Sequence, residues 1–500
     1  MHQCLKTPQI FAMVCKEVYF GSTDLRCKHD TLAALAQTCQ SFMEPAFDML
    51  WRRLSSLTPL VRCFAQDVWQ LKGCTISFNR IPQPSEWERF LFYARRVKLL
   101  RYTSLVHPRN PDYAPHAVWQ VLNLTRPSSL AHLLPNLQTL FWKASDEVFP
   151  YIRLLLSPTL KKLEVSMRVR VSSIGSNLLR PSVLPTLKEL CPALVNITIT
   201  SVNTMERVQG VSDSILHLDT LCSLHIEGSI SIDALNHIAQ FPSLQSFHFT
   251  ISRGMPPIDS VSGTGKFPAL RRLELQGMEL EWINDLLAAI TVSVIETVNL
   301  IFPLHNPTGW QALLTNLSLS HATLRILKLK ENGHAGTDNS INSDTLRTLL
   351  ACSYITHVSI HPAHKLDLDD QLLQGFSEAW PHLRHLDLGY QDLWLKPYHI
   401  TLKGLLPLVR GCPKLEHLEL LLNATATNFS LATRPGMGTS SATLTTLKLG
   451  YSPVGDPAKV AAFLFDVFPN ATTITGNDEG WTETLDLFNL FKTMRQWPAQ

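Results

Sequence analysis

Four side chains able to bind a metal or move a proton fall within one short stretch, "THVSIHPAHKLD": His357, His361, His364 and Asp367. Imidazoles and carboxylates are the groups that ligate zinc or act as bases near neutral pH. If "THVSIHP" is an extended strand, His357 and His361 share a face but stand ~13 Å apart at ~3.3 Å per residue. A single zinc ion cannot reach both. "SVSGTGKF" around Lys266 lacks the first glycine of a phosphate-binding loop and puts Phe267 where Ser or Thr would hold magnesium. Neither G-x-S-x-G nor H-E-x-x-H occurs, and the ten cysteines never form a C-x-x-C pair. The expectation is a protein without catalytic residues, metal or cofactor.

The bulk properties narrow the options further. A chain of 500 residues, 45% hydrophobic and 17% charged, can bury a large core. It exceeds the usual single domain, so it is either divided or built as an elongated repeat array. The net charge is +3, and basic residues are scattered in ones and twos, such as Arg95-Arg96 and Lys161-Lys162. That gives no concentrated field for a phosphate backbone, so no nucleic-acid partner is expected. Thinly spread cysteines read as reduced thiols that pack as small apolar side chains. "IFAMVC" is too short and lacks the basic flank of a secretory signal. "LLAAITVSVI" at 286–295 falls far short of the ~20 apolar residues a membrane helix needs. Six N-x-S/T sequons are compatible with chance, and an intracellular location, in cytoplasm or nucleus, is expected.

The elements that position these side chains announce themselves by repetition. "FPSLQSFHFT", "FPALRRLELQG", "WPHLRHLDLGY" and "CPKLEHLELLL" are variants of one phrase, apolar-Pro-x-Leu-x-x-Leu-x-Leu. Its first leucine position recurs at 137, 160, 194, 221, 244, 270, 295, 324, 355, 383, 415 and 444, in steps of 23 to 34 residues, with weaker copies at Ala94 and Ala471. That is the period of a leucine-rich repeat. The end of each phrase alternates as a strand with one buried face. Between phrases lie helical patterns opened by Ser231, Ser343 and Asp369 as caps. A strand that returns in the same direction requires such a crossover. Pro242, Pro268, Pro381, Pro413 and Pro469 stop each helix and restrict the residue before them to extended geometry. The fold class is therefore α/β: a leucine-rich-repeat solenoid, an arc of parallel strands with crossover helices. Two crossovers lack a clean helix, 167–182 and the Gly/Ser/Thr-rich 423–442, the second expected as a mobile loop.

This register defines a polar face. The position inside each L-x-L includes His225, His248, Glu274, Lys328, Asp387, Glu419 and Lys448. Its neighbour two residues earlier includes Arg272, His357, His385 and His417. These eleven are the candidate substrate-binding residues on the concave side; Arg272, Glu274, Lys328, His385, Asp387, His417, Glu419 and Lys448 are expected on one parallel sheet, solvent-accessible, while Leu273, Leu275, Leu327, Leu329, Leu386, Leu388, Leu418 and Leu420 are buried. A one-residue slip would exchange the two sets. Stacked imidazoles repel when protonated and the carboxylates favour protonation, so the direction of the histidine shifts stays open.

Residues 1–55 read differently. "PQIFAMVCKEV" precedes "TLAALAQTCQSFMEPAFDMLWRRL", in which Leu32, Leu35, Ala36, Cys39, Phe42 and Met43 fall at helical spacing. A second helical pattern follows Pro45. This segment resembles the F-box, in Leu5, Pro8, Ile10, Phe11 and Val14, in the "L-x-x-L-x-x-x-C-x-x-F" run, and in the closing Leu50-Trp51. It departs from it in the separation of Leu5 from Pro8 and in the inserted "STDLRCKHD". The whole chain resembles fungal-type F-box proteins with leucine-rich repeats. The resemblance implies an all-α module at 1–55, a helical linker or cap at 56–90 and the repeats at 91–500. It implies docking of the Skp1 adaptor, and through it a cullin-RING ligase, by Leu5, Pro8, Ile10, Val14, Leu32, Leu35, Cys39, Phe42, Leu50 and Trp51. The repeats would hold a protein substrate for ubiquitination by the partners. The alternative is a repeat scaffold unrelated to ubiquitination, in which 1–55 only caps the array.

Overall fold

The computed structural model describes residues 8–21, 24–73, 75–104, 114–167, 181–202, 205–251, 265–290, 294–320, 323–333, 340–389, 398–427, 429 and 434–495. Two units divide the chain, Met1–Phe241 and Pro242–Gln500. Both are α/β, with parallel strands in register.

The first unit opens with three helices, Pro8–Gly21, Leu25–Thr38 and Gln40–Leu50. Six parallel strands follow: Arg53–Leu54, Leu99–Thr103, Thr139–Lys143, Lys162–Ser166, Asn196–Val202 and Ser223–Gly228. The first of them lies just behind the third helix, so the sheet begins inside the segment read as the helical module. The stretch 56–90 carries a short helix, Thr58–Val61, an antiparallel hairpin of Trp69–Lys72 with Thr75–Phe78, a 3-10 turn, Pro84–Glu86, and the start of the helix Trp87–Ala94. Gly73, at φ 62, occupies the left-handed turn conformation at the hairpin's tip. The weak repeat copy at Ala94 is displaced as well. Ala94 ends a helix, and Val97, Leu100 and Tyr102 are the buried residues of the phrase.

The second unit contains nine parallel strands: Ser246–Thr250, Arg272–Gln276, Thr297–Pro303, Ile326–Asn332, His357–His361, His385–Asp387, His417–Glu419, Thr446–Lys448 and Thr473–Thr475. Within this unit each strand after the first pairs with its predecessor in the register the repeats demand, for example Leu273↔Val298, Leu327↔Val358 and Leu386↔Leu418. All eight leucines assigned to the core are buried. Since burial of one leucine is worth about 1.5–3 kcal/mol, a slip in any repeat is strongly disfavoured.

The recurring proline sits in a tight turn. Phe241, Phe267, Trp380, Cys412 and Phe468, each just before its proline, are buried. In four of these repeats the amide three residues on donates to that residue's carbonyl: Leu270 N to Phe267 O at 3.2 Å, Leu383 to Trp380 at 3.0 Å, and Leu415 to Cys412 and Ala471 to Phe468 at 3.1 Å. The residue before proline is not fully extended as the sequence suggests. Trp380 has φ −122 and ψ 62, and Phe267 takes φ 55, because the turn bond competes with the extended conformation. Caps at Ser231 and Asp369 accept from Ala234 N and Leu372 N. At the third site the cap is Asn342 rather than Ser343; the Ser343 hydroxyl instead accepts from Asp369 N at 3.1 Å, tying two repeats together.

Glu331 is a further cross-repeat tie. Its carboxylate is buried and accepts from His305 N at 2.6 Å, Ala363 N at 2.8 Å and Trp310 Nε1 at 3.1 Å. His364 lies beside it and donates Nε2–H to the His305 carbonyl at 2.5 Å. Among the described residues no helix is long and apolar enough to cross a membrane.

Candidate functional site

Two surfaces concentrate the residues singled out from the sequence. The first is the helical module. Phe11, Cys15, Tyr19, Leu32, Ala36, Phe42, Ala46 and Met49 form its core, with Leu35, Cys39 and Leu50 packed partly buried against it. The rings of Phe11 and Phe42 stack at 3.8 Å. The long helix expected over Leu32–Met43 breaks at Cys39, which is extended at φ −161, ψ 159. A fresh helix then runs through Pro45, and the break lets Phe42 turn onto Phe11.

Of the residues matched to an adaptor-docking surface, Leu5 lies outside those described, and Pro8 begins the first helix. Leu32 and Phe42 are buried, while Ile10 (40%) and Val14 (38%) are exposed. Met13 (64%) and Phe20 (65%) are exposed too. Met13 was not picked out by the motif. Its signal was the spacing Ile10, Met13, Val14, one and the same helical stripe, on a helix whose opposite face, Phe11-Cys15-Tyr19, already fills the core. Trp51 packs against the first repeat. It stacks on Tyr93 at 4.3 Å, and Phe47 meets Phe92 and Tyr93 edge-on. The buried Arg96 guanidinium reaches Glu44 and Asp48, each at 2.5 Å, and lies over Phe92. The third helix is thus bolted to the first repeat.

The second surface is the polar sheet face. His225 stands on the Ser223–Gly228 strand of the first unit; the other ten residues belong to the second. His248 Nδ1 faces Glu274 Oε2 at 3.5 Å. Arg272 and Lys328 are exposed. The His357, His385 and His417 rings form a ladder with centroids 6.0 and 4.2 Å apart. Beside it, Asp387 accepts from His361 Nε2 at 2.8 Å, Ser359 Oγ at 3.2 Å and Gly389 N at 3.0 Å. Gly389, at φ 73, can aim that amide back at the carboxylate because it carries no side chain.

Glu419 departs from the expectation of a solvent-accessible face. It is only 4% exposed, covered by Lys448 Nζ at 3.0 Å and His417 Nε2 at 3.4 Å. Parallel in-register pairing sets these side chains side by side, and mutual charge satisfaction lets the carboxylate sink. Burial tends to raise the pKa of Asp387, yet the hydrogen bonds from His361, Gly389 and Ser359 outweigh it and leave the carboxyl below its ordinary range. Glu419 is likewise held low, the His417 and Lys448 contacts overcoming burial and the nearby Asp387 charge.

Ser359, His361 and Asp387 are in contact, but both oxygens approach the same ring nitrogen, Nε2, at 3.3 and 2.8 Å. A relay from a serine through imidazole to a carboxylate needs both nitrogens, so this trio is a hydrogen-bonded brace. Among the described residues no group of three or more His, Cys, Asp or Glu side chains is placed to hold a metal ion. His364, counted with His357 and His361 in the sequence, is buried against the Glu331 tie instead.

Burial, and next the charge on His417, pushes His385 from 6.5 down to about 4. Burial, Lys328 and Arg384 lower His357 too. Because the folded pKa lies below the unfolded one, the unfolded chain takes up the proton first as the medium acidifies. The histidine's cost to stability is absent above about pH 6.5 and grows as pH falls to about 4. The urea midpoint is expected to fall across that window, and His385→Asn to flatten the fall. A wild-type midpoint constant across it would contradict the buried ladder.

Of the 423–442 crossover, residues 434–442 form an anchored turn. Arg410 Nε donates to Thr439 Oγ1 at 2.7 Å, and Gly436 N donates to Asp466 Oδ2 at 2.9 Å. Residues 428 and 430–433 lie outside the described set. Compared with protein-family models and with curated proteins, the chain matches none.

Proposed function

We propose that this chain is a non-catalytic substrate-recognition subunit of an SCF-type ubiquitin ligase, its helical module docking the Skp1 adaptor and its repeats holding a protein substrate. The observation that carries the reading is the two-sided first helix. One face, Phe11, Cys15 and Tyr19, builds the module's core, and the other leaves Ile10, Met13 and Val14 in solvent. A helix that served only as a cap would have no use for the second apolar face. The F-box resemblance supplies the partner, and the polar sheet face supplies a broad, hydrogen-bonding surface suited to a protein. Skp1 is expected to co-purify with the intact chain in stoichiometric amount, whereas residues 56–500 capture none. Absence of Skp1 from the intact chain favours the repeat scaffold. The Trp51–Tyr93 stack and the Arg96 bridges support that scaffold reading in one respect, since they make the third helix a cap whatever the first one binds.

A further inference from the structure

The acids and bases of the second unit's polar face are not balanced strand by strand. Its carboxylates are engaged internally: Glu274 by His248, Asp387 by His361 and Ser359, Glu419 by Lys448 and His417. The three middle strands, Thr297–Pro303, Ile326–Asn332 and His357–His361, turn no carboxylate to this face. They present Asn299, Lys328, Lys330, His357, Ser359 and His361. Lys328 and Lys330 are exposed, and among the described residues neither makes an ion pair. They stand on one strand two residues apart, ~6.6 Å. Ile301 and Ile326 lie half-buried on the same face, offering apolar contact beside the charges.

We propose that this lysine-centred strip is the docking surface for an acidic peptide segment of a partner protein, one carrying two or three carboxylates next to an aliphatic side chain. The two exposed ammonium groups supply the charge complementarity, Asn299 and Ser359 the neighbouring hydrogen bonds, and the isoleucines the apolar seat. Nucleic acid fits less well. The three strands place no Phe, Tyr or Trp ring on this face for base stacking, and two lysines make too small a field for a phosphate backbone. The inference rests on the sheet face being the recognition surface of a substrate receptor.

The test uses the full-length chain as bait for a random peptide library, alongside Lys328→Glu/Lys330→Glu. Both lysines are exposed, so the variant is expected to keep the wild-type unfolding midpoint and its Skp1 capture. Wild type is expected to enrich Asp and Glu in the selected pool. The peptides it selects are expected to bind the double variant about tenfold or more weakly and to weaken in salt. A pool with no acidic enrichment, or acidic peptides that bind the double variant equally well, overturns the proposal. So does tighter binding of an oligothymidylate than of the selected peptides. Acidic selection without Skp1 capture would reject the ligase reading and leave this surface standing.

Discussion

Glu331→Ala is expected to destabilise the second unit by about 3–5 kcal/mol, a large share of the total for a change at one side chain. The carboxylate receives the amides of His305 and Ala363 and the indole N–H of Trp310, at 2.6, 2.8 and 3.1 Å. All three donors lose their acceptor at once, and each buried unpaired donor costs about 1–3 kcal/mol. Water refilling the space recovers part, which is why the total is not the sum. Glu331→Gln keeps one acceptor oxygen and is expected to lose less. Urea unfolding with hydrogen exchange along Thr297–Pro303 and Ile326–Asn332 reads the effect. A loss under about 1 kcal/mol for the alanine variant would mean that the tie is dispensable.

Phe42→Ala is expected to unfold the helical module while the repeats stay folded. Removing a buried phenylalanine costs about 3–5 kcal/mol, and a core as small as this one supplies little more than that. Here the lost ring is the stacking partner of Phe11 at 3.8 Å, at the junction of the first and third helices. Limited proteolysis should cleave the variant within 8–50 and leave the repeat core intact, with adaptor capture lost. Protease resistance equal to wild type would show that the module does not depend on this contact.

What could be read in advance was whatever one residue decides with its immediate neighbours. Alternation forces Leu273 and Leu275 inward whichever repeat stands beside them, so period and register were both legible. The proline turn was legible as a stop, yet the positive φ of Phe267 was not, because it depends on a hydrogen bond formed only once the turn closes. Cys39 illustrates the same limit: helical spacing continues through it, but packing Phe42 on Phe11 requires a break. Glu419 and Glu331 were the hardest. A carboxylate sinks only if donors converge on it, and the deciding ones come from other repeats: Lys448 for Glu419, joining His417 of its own strand, and His305, Trp310 and Ala363 for Glu331. No spacing within a single repeat records those partners from other repeats. The apolar stripe of the first helix lay half in view, since Ile10 and Val14 belong to the motif and Met13 follows from the helical period alone.

The outward face of the first helix, proposed above as an adaptor-docking surface, is probed by titrating purified Skp1 against the full-length chain and against Ile10→Ser/Met13→Ser/Val14→Ser. All three side chains are exposed, so the variant should unfold at the wild-type midpoint. A one-to-one complex is expected for the wild type and at least about a tenfold weaker one, about 1.4 kcal/mol, for the variant. No complex with wild type, or equal affinity for both chains, would contradict it.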